Sequence, residues 1–282
     1  MEIINTYIHS IVQKRHEYGI RIDTLNKNRR HALHYAARKG NREVFELILN
    51  CFKEDKCGID QSTGSNGNTP FYEAYRNGNI EILKLIVELK SSQLQSQSDE
   101  KPSLAELGLD EPDHALGSTP FLDACRQGNI EIVKFLFELK PDITRIDSMG
   151  FNILHQSIMN RRNPEVFEFL HKVSGSIIKD LIFHAQNIVH YACLKGNLKA
   201  VQILIKDENC SELFHSRDNR GWTPLHCACS NGKADIVKVL LTKEGIEINA
   251  KNNQGQTPRD LLVPKNQDII ELLDFAKLFL LT

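Results

Sequence analysis

The sequence lacks the features that identify several common classes of protein. Its 282 residues carry 35 Lys and Arg against 36 Asp and Glu, and the formal net charge of −1 provides no global field to attract nucleic acid or an anionic membrane. No apolar stretch is long enough to span a bilayer as a helix. The N-terminus has no basic segment followed by an apolar run, so we predict no secretory signal. We therefore expect no nucleic-acid partner and no membrane partner.

Cysteine frameworks and catalytic motifs are also absent. The seven cysteines are an odd number without framework spacing, which favours a reducing compartment, the cytoplasm or alternatively the nucleus. Cys51 and Cys57 have no partners at zinc-site spacing. No phosphate-binding loop, zinc-protease motif or nucleophile elbow occurs. We therefore predict no catalytic residue, no metal and no cofactor, and a protein that is not an enzyme.

What the sequence does contain is a short helical hairpin, clearest after Arg220. Thr223 is suited to cap a helix through its hydroxyl, and Pro224 follows at the first helical position. Gly232 is suited to end that helix in the left-handed conformation, and a second apolar helix follows until Gly245. A hairpin of this size cannot bury its apolar face alone, so it requires similar hairpins on both sides.

Copies of this hairpin recur along nearly the whole chain. The motif reads HALHYA from His31, TPFYEA from Thr69, TPFLDA from Thr119, NILHQS from Asn152, NIVHYA from Asn187, TPLHCA from Thr223 and a truncated TPRDLL from Thr257. Most copies begin roughly 33 to 38 residues apart, and these motifs resemble the ankyrin-repeat family. The resemblance implies an all-α solenoid of about six to seven helix–turn–helix–hairpin repeats with terminal caps.

We predict that residues 1–282 form a single ankyrin-repeat domain. Its expected parts are an N-terminal capping helix or degenerate repeat at 1–25, repeats one and two at 26–90, an acidic Ser/Gln-rich insertion at 91–117, repeats three to six at 118–250, and a C-terminal partial repeat or cap at 251–282. Within the insertion, Ser103 and Glu106 are spaced as a capping box for one helical turn. We expect the rest of the insertion to be a mobile hairpin extension; a finger that contacts the partner is the alternative.

At two positions of the repeat, one residue type recurs in several copies and could indicate a metal site or a disulfide. The first position has histidines at His34, His155, His190 and His226, and the second has cysteines at Cys125, Cys193 and Cys229. Neighbouring repeats stack roughly 10 Å apart, too far for one zinc ion or one disulfide to join them. The resemblance implies that these histidines hydrogen-bond the loops, and we expect the cysteines to be small core residues.

The resemblance also implies that a partner protein lies on the concave side, formed by the hairpin tips and the first helix of each repeat. The predicted protein-binding residues are Arg30, Arg38, Arg76 and Arg126 in the first three repeats, followed by Met149, Phe151, Phe183, Tyr191, Leu194 and Trp222. This order predicts a partner with an acidic stretch followed by apolar anchors. Alternatively, the arginines form a solvated face, Phe183 lies in the core and Trp222 covers its hairpin.

One modification site is suggested by the same resemblance. Leu241 lies eight residues before Asn249, and Glu247 and Ile248 directly precede that asparagine. Ankyrin proteins with this arrangement resemble substrates of the asparaginyl hydroxylase that also acts on hypoxia factors, so Asn249 is the candidate residue. The alternative is that asparagine stands there because it tolerates turn geometry.

The most economical interpretation is a non-catalytic scaffold or adaptor for protein–protein interaction along the concave groove. One alternative is a regulatory or targeting domain of a larger enzyme or channel. Another is a pathogen effector that acts on host proteins, or an enzyme with chemistry that the motifs do not reveal. We expect a monomer, with a dimer through the apolar C-terminal helix as the alternative.

Overall fold

The computed structural model describes residues 26, 30–54, 59, 69–94, 101–113, 115–160, 163–175, 186–263 and 266–279. The predicted N-terminal cap at 1–25 lies outside this part of the chain. The regular elements among the described residues are all helices, which confirms the predicted all-α class. Residues 1–149 and 150–282 form two compact units, called unit 1 and unit 2 below.

Unit 1 contains three helical hairpins. They comprise α1 (Ala32–Lys39) with α2 (Arg42–Glu54), α3 (Pro70–Arg76) with α4 (Ile80–Gln93), and α5 (Pro120–Gln127) with α6 (Ile130–Glu138). The first helices pack side by side in the order α1, α3, α5, and the second helices α2 and α4 also pack together. This is the stacking that a repeat needs in order to bury its apolar face.

Unit 2 continues the pattern with three hairpins and a final helix. They comprise α7 (Ile153–Met159) with α8 (Pro164–Ser174), α9 (Ile188–Lys195) with α10 (Leu198–Leu204), α11 (Pro224–Ser230) with α12 (Ala234–Leu240), and α13 (Gln267–Phe279). Short 3₁₀ helices occupy Glu208–Phe214 and Arg259–Leu261, and α13 packs against α12. The truncated motif at Thr257 therefore begins a 3₁₀ turn instead of a full first helix.

The motif residues form the local structure predicted from the sequence. The first residue of the motif caps the first helix through its side chain at His31, Thr69, Thr119, Asn152, Asn187 and Thr223. Gly232 lies at φ 61°, in the left-handed region, as expected of a residue that ends a helix. The third motif residue is buried in every one of these six copies, from Leu33 in the first to Leu225 in the last.

The insertion differs from the expected mobile extension. Helix α4 continues to Gln93, and a turn at 104–108 packs Leu104, Leu107 and Leu109 into the protein interior. The predicted capping box is present, since the backbone N–H of Ser103 donates to Glu106 at 2.7 Å and the Glu106 N–H donates to the Ser103 hydroxyl at 3.2 Å. The expectation of a mobile hairpin is wrong for residues 101–113, because removing three leucine side chains from water lowers the free energy of the folded protein.

An asparagine between the two helices of a repeat binds the preceding repeat. The Asn79 amide donates to the carbonyls of Ala37 and Arg38 at 2.7 and 2.9 Å, and the Asn197 amide donates to the carbonyl of Ile158 at 3.1 Å. These carbonyls lie at the ends of helices, where no partner exists within the helix. The side chain of one residue thus joins two neighbouring repeats.

We expect Asn197→Ala to lower the free energy of unfolding by about 1–2 kcal/mol, because it removes this bond and the helix cap that Asn197 provides to Ala200. Urea unfolding followed by circular dichroism measures the change. Asn209→Ala is the matched control, since the Asn209 side chain is exposed and its amide donates to Asp207, two residues earlier. Equal stability of the two variants would contradict the bridging role.

Candidate protein-binding face

The first helices of unit 1 place two arginines on the surface at the same position of successive repeats. Arg38 lies in the last turn of α1 and Arg76 in the last turn of α3, and both are exposed. The Arg76 guanidinium lies 5.4 Å from the centre of the Tyr72 ring and donates to the Tyr72 hydroxyl. Burial and the Asp123 carboxylate raise the pKa of Tyr72, so the hydroxyl is protonated at neutral pH.

The other two predicted arginines are paired with buried carboxylates. Arg30 lies 2.8 Å from Glu73, and Arg126 donates through Nε to Asp123 at 3.0 Å. Glu73 and Asp123 are 3% and 1% exposed, so each requires a cation or equivalent donors nearby. The charge of Arg30 and of Arg126 is therefore already offset within the protein, which leaves Arg38 and Arg76 as the stronger candidates for an acidic partner.

Sequence reasoning missed the two buried acids. They occupy the fifth position of the motif, where the other copies have Tyr35, Gln156, Tyr191 and Cys227. A charged residue in a column that is otherwise neutral was the available signal. That signal, combined with the arginines nearby, could have predicted which of the four guanidinium groups are engaged.

The predicted apolar half of the face is placed differently from expectation. Phe151 and Tyr191 are 7% and 3% exposed, and their ring centres lie 5.2 Å apart. The His155 ring completes a cluster of three, 5.7 Å from Phe151 and 5.0 Å from Tyr191. Leu194 is half-buried and Phe183 lies outside the described residues. In this arrangement the two rings contribute to the core of unit 2 and offer a partner little surface.

Trp222 and Met149 keep part or most of their surface. The Trp222 ring is half-buried. The Arg220 guanidinium lies over it, 3.8 Å from its centre, and the His226 ring stacks 6.3 Å away. Met149, at the end of unit 1, is 54% exposed. Among the predicted apolar residues that the structure describes, Met149 is therefore the most exposed, and Phe151 and Tyr191 are buried.

The motif histidines connect neighbouring repeats by hydrogen bonds. In unit 2, His190 Nε2 lies 2.9 Å from the Trp222 carbonyl and His226 Nε2 lies 3.1 Å from the Gln256 carbonyl. Burial lowers the pKa of both histidines, so the neutral form is favoured. The predicted role in the loop network is confirmed for these two residues. No group of three or more potential metal ligands occurs in the part of the chain that the structure describes.

The described cysteines of the first helices are core residues, as predicted. Cys125, Cys193 and Cys229 are at most 1% exposed. Burial raises the pKa of Cys193 well above its usual value and that of Cys229 to about 12. These thiols therefore remain protonated and unreactive near neutral pH.

One polar cavity lies on the second helices of unit 2. It has a volume of about 650 Å³ and contains His171, whose Nε2 lies 3.2 Å from Asp207. The Cys210 thiol also points to Asp207, at 3.7 Å. The thiol and the imidazole therefore contact the same carboxylate oxygen, Asp207 Oδ2.

The candidate modification site is accessible. Asn249 is exposed in the turn after α12, while Ile248 before it is buried. The neighbouring Glu247 carboxylate accepts a bond from Arg217 at 3.1 Å. Hydroxylation of Asn249 stays a prediction.

Comparison with known proteins adds the following. A family model described as ankyrin repeats (3 copies) matches residues 3–98, 93–179 and 173–252. The probable 26S proteasome regulatory subunit p28 of Saccharomyces cerevisiae is 35% identical over 230 residues, which is 81% of this chain and 77% of that protein. Protein phosphatase 1 regulatory subunit 27 of Mus musculus is 43% identical over 84 residues, 30% of this chain, and the chain spans only 52% of its length.

A solved structure supports the same fold. The crystal structure of the ankyrin repeat domain of Bcl-3 matches 87% of this chain and 98% of that chain, with a TM-score of 0.63 and 20% identity. This likeness shows the fold alone. No helix within the described residues has the length and apolar character needed to cross a bilayer.

Proposed function

Because the chain belongs to the ankyrin-repeat family, we propose that it is a non-catalytic scaffold or adaptor that binds a partner polypeptide along the face of its first helices. Ankyrin repeats are protein-interaction modules, which supports a protein partner. The observation that carries the finer proposal is the pair Arg38 and Arg76, both exposed at the same position of neighbouring first helices.

The chemistry of this pair favours an acidic segment of the partner. An exposed guanidinium can bind a carboxylate through two parallel hydrogen bonds. Tyr72 lies under the Arg76 guanidinium and is half-buried, so part of its ring is exposed beside the two arginines. Tyrosine and arginine are among the residues that contribute most to binding energy at protein interfaces. Arg30 and Arg126 support the face mainly by neutralising Glu73 and Asp123.

A second candidate is that the protein acts as a regulatory subunit of a larger enzyme assembly. Two relatives are named as regulatory subunits, one of the 26S proteasome and one of protein phosphatase 1. This candidate keeps the same binding face and specifies the partner as a subunit of an enzyme. We also propose that the protein acts in the cytoplasm or nucleus.

Charge reversal tests the proposed face. We expect Arg38→Glu with Arg76→Glu to weaken partner binding about 100-fold, because two attractive contacts become repulsive. The partner is first identified by affinity capture with the full chain from the extract of its own cells. Its dissociation constant for the wild type and the variant is then measured by isothermal titration calorimetry.

The control makes the same two-charge change on the second helices of unit 1, as Arg42→Glu with Lys134→Glu. Both residues are exposed, and Arg42 pairs with the exposed Glu46 and Glu81. Because exposed ion pairs contribute little to stability, we expect the fold to be retained, which circular dichroism verifies, and binding to change little. Loss of affinity in the control equal to that in the test variant would contradict a specific face. An unchanged affinity after the Arg38 and Arg76 reversal would exclude the face itself.

A further inference from the structure

We propose that the apolar anchors of the partner bind a patch on unit 1 formed by Leu116, Ile146 and Met149, which we call the tip patch. This inference rests on the proposed function and assigns two residues, Leu116 and Ile146, that the sequence did not indicate. It also replaces the buried rings of Phe151 and Tyr191 as the apolar contact surface.

The three side chains belong to two turns that are bonded to each other. The Ser148 N–H donates to the Leu116 carbonyl at 2.8 Å, so the end of the insertion lies against the turn at 146–149. Leu116, Ile146 and Met149 are 40%, 56% and 54% exposed. Three exposed apolar side chains on adjoining turns differ from the single ones found on most surfaces, which favours a binding surface.

Equivalent turns in unit 2 show that the turn itself does not require apolar residues. In the unit 1 turn, the Asp147 side chain accepts the N–H of Met149 at 2.9 Å. In two turns of unit 2, Asp218 accepts from Arg220 and Asn252 from Gln254 in the same way, also at 2.9 Å. Their residues at the Ile146 position are Arg217 and Lys251, and those at the Met149 position are Arg220 and Gln254. The same geometry is thus compatible with polar side chains, and the apolar pair at 146 and 149 needs another reason.

The turns are fixed before any partner arrives. The Asp113 carboxylate accepts the N–H groups of Ala115 and Leu116 at 3.1 and 2.6 Å, and the Gly117 N–H donates to the Asp113 carbonyl at 3.0 Å. Asp147 is 6% exposed and holds the other turn through Met149. A preorganised surface loses little conformational entropy on binding, which favours affinity.

The occupant that fits is an extended segment with acidic residues at one end and apolar residues at the other. Arg38 and Arg76 come from the first two hairpins of unit 1 and the tip patch from the insertion and the turn after the third. Three stacked repeats span roughly 20–30 Å, which an extended peptide of about six to nine residues covers. The acidic end of the segment binds the two exposed arginines through charge complementarity, and its apolar end binds the tip patch.

A displayed library of random peptides about 12 residues long is the probe, selected on the full chain. We expect enriched peptides to carry acidic residues at one end and large apolar ones at the other. Ile146→Gln with Met149→Gln should weaken a selected peptide about tenfold or more, measured by fluorescence anisotropy. The second change reproduces Gln254 at its own turn position, so the fold should be retained, which circular dichroism verifies.

Val263→Gln is the matched control, because Val263 is an apolar side chain, 47% exposed, in unit 2. It should leave the affinity of the selected peptide unchanged. A selected peptide that loses affinity with the Arg38 and Arg76 reversal, but keeps it with the Ile146 and Met149 changes, would overturn the tip patch alone. Failure of the library to yield any peptide sensitive to the Arg38 and Arg76 reversal would contradict the proposed function as well.

Discussion

Acidification below about pH 6.5 is expected to lower the free energy of unfolding by several kcal/mol before the carboxylates titrate. Four buried histidines cause the effect. Burial, with a contribution from His34, lowers the pKa of His31 to about 4, and burial alone lowers the pKa of His155 to about 4. Burial also lowers the pKa of His190 and His226.

The direction of the change in stability follows from whether the folded or the unfolded state binds more protons. An unfolded histidine takes up a proton near pH 6.5, whereas these four remain neutral in the folded protein until the pH is lower. Their contribution to stability is therefore fully present above pH 6.5 and is lost as the pH falls. For His31 and His155 the loss continues to about pH 4, at about 1.4 kcal/mol per pH unit for each proton.

Urea unfolding at several values between about pH 7.5 and 4.5 measures this slope. His155→Leu is the matched variant, since the third repeat has Leu122 in the same column. We expect the slope of its unfolding free energy against pH to be smaller than that of the wild type, by the amount that corresponds to about one proton. A free energy of unfolding that stays constant from neutral pH to about pH 5 would contradict the assignment of neutral buried histidines.

Asp218→Ala is expected to destabilise unit 2 by about 2–3 kcal/mol, because it leaves several part-buried donors without an acceptor. The Asp218 side chain is 2% exposed and accepts five hydrogen bonds. These come from the Gln186 amide, the backbone N–H groups of Arg220 and Trp222, and the Arg220 guanidinium. Burial acts to raise the pKa of Asp218, but these donors lower it, so the carboxylate is ionised at neutral pH.

Asp218→Asn distinguishes hydrogen bonding from charge. Asn252 fills the same turn position one repeat later and accepts two backbone N–H groups, from Gln254 and Gln256, at 2.9 Å. The asparagine variant should therefore retain the backbone bonds and cost only about 1 kcal/mol. Thermal and urea unfolding compare the two variants, and equal losses for alanine and asparagine would show that the turn bonds are not what stabilises this region.

Local features of the fold were predictable from the sequence, whereas pairings between repeats were not. Thr223, Pro224 and Gly232 specify a helix start and stop through their own backbone preferences, and the structure has them in those roles. The Ser103–Glu106 capping box was equally local. The packing of Leu104 and its neighbours in the insertion was missed, because it depends on where distant helices leave space.

For the candidate face, the sequence predicted only which equivalent positions of the repeat motif would form it. Counting from the motif located Arg38 and Arg76 correctly at successive helix ends. It could not show that Glu73 engages Arg30, since that pairing joins two repeats. The Asp123–Arg126 pair has the i,i+3 spacing of neighbours within one helix, and this local signal was missed. Nor could counting show that Phe151 and Tyr191 pack together, because an aromatic residue next to a helix start is compatible with both surface and core.

Hydrogen–deuterium exchange of the full chain with and without its captured partner tests the central claim most directly. The account predicts slower exchange on binding in the first helices of unit 1, at 32–39 and 70–76, and in the turn at 146–149. It predicts little change in the second helices at 42–54, 80–93 and 130–138. Protection confined to those second helices would contradict a partner bound along the first-helix face.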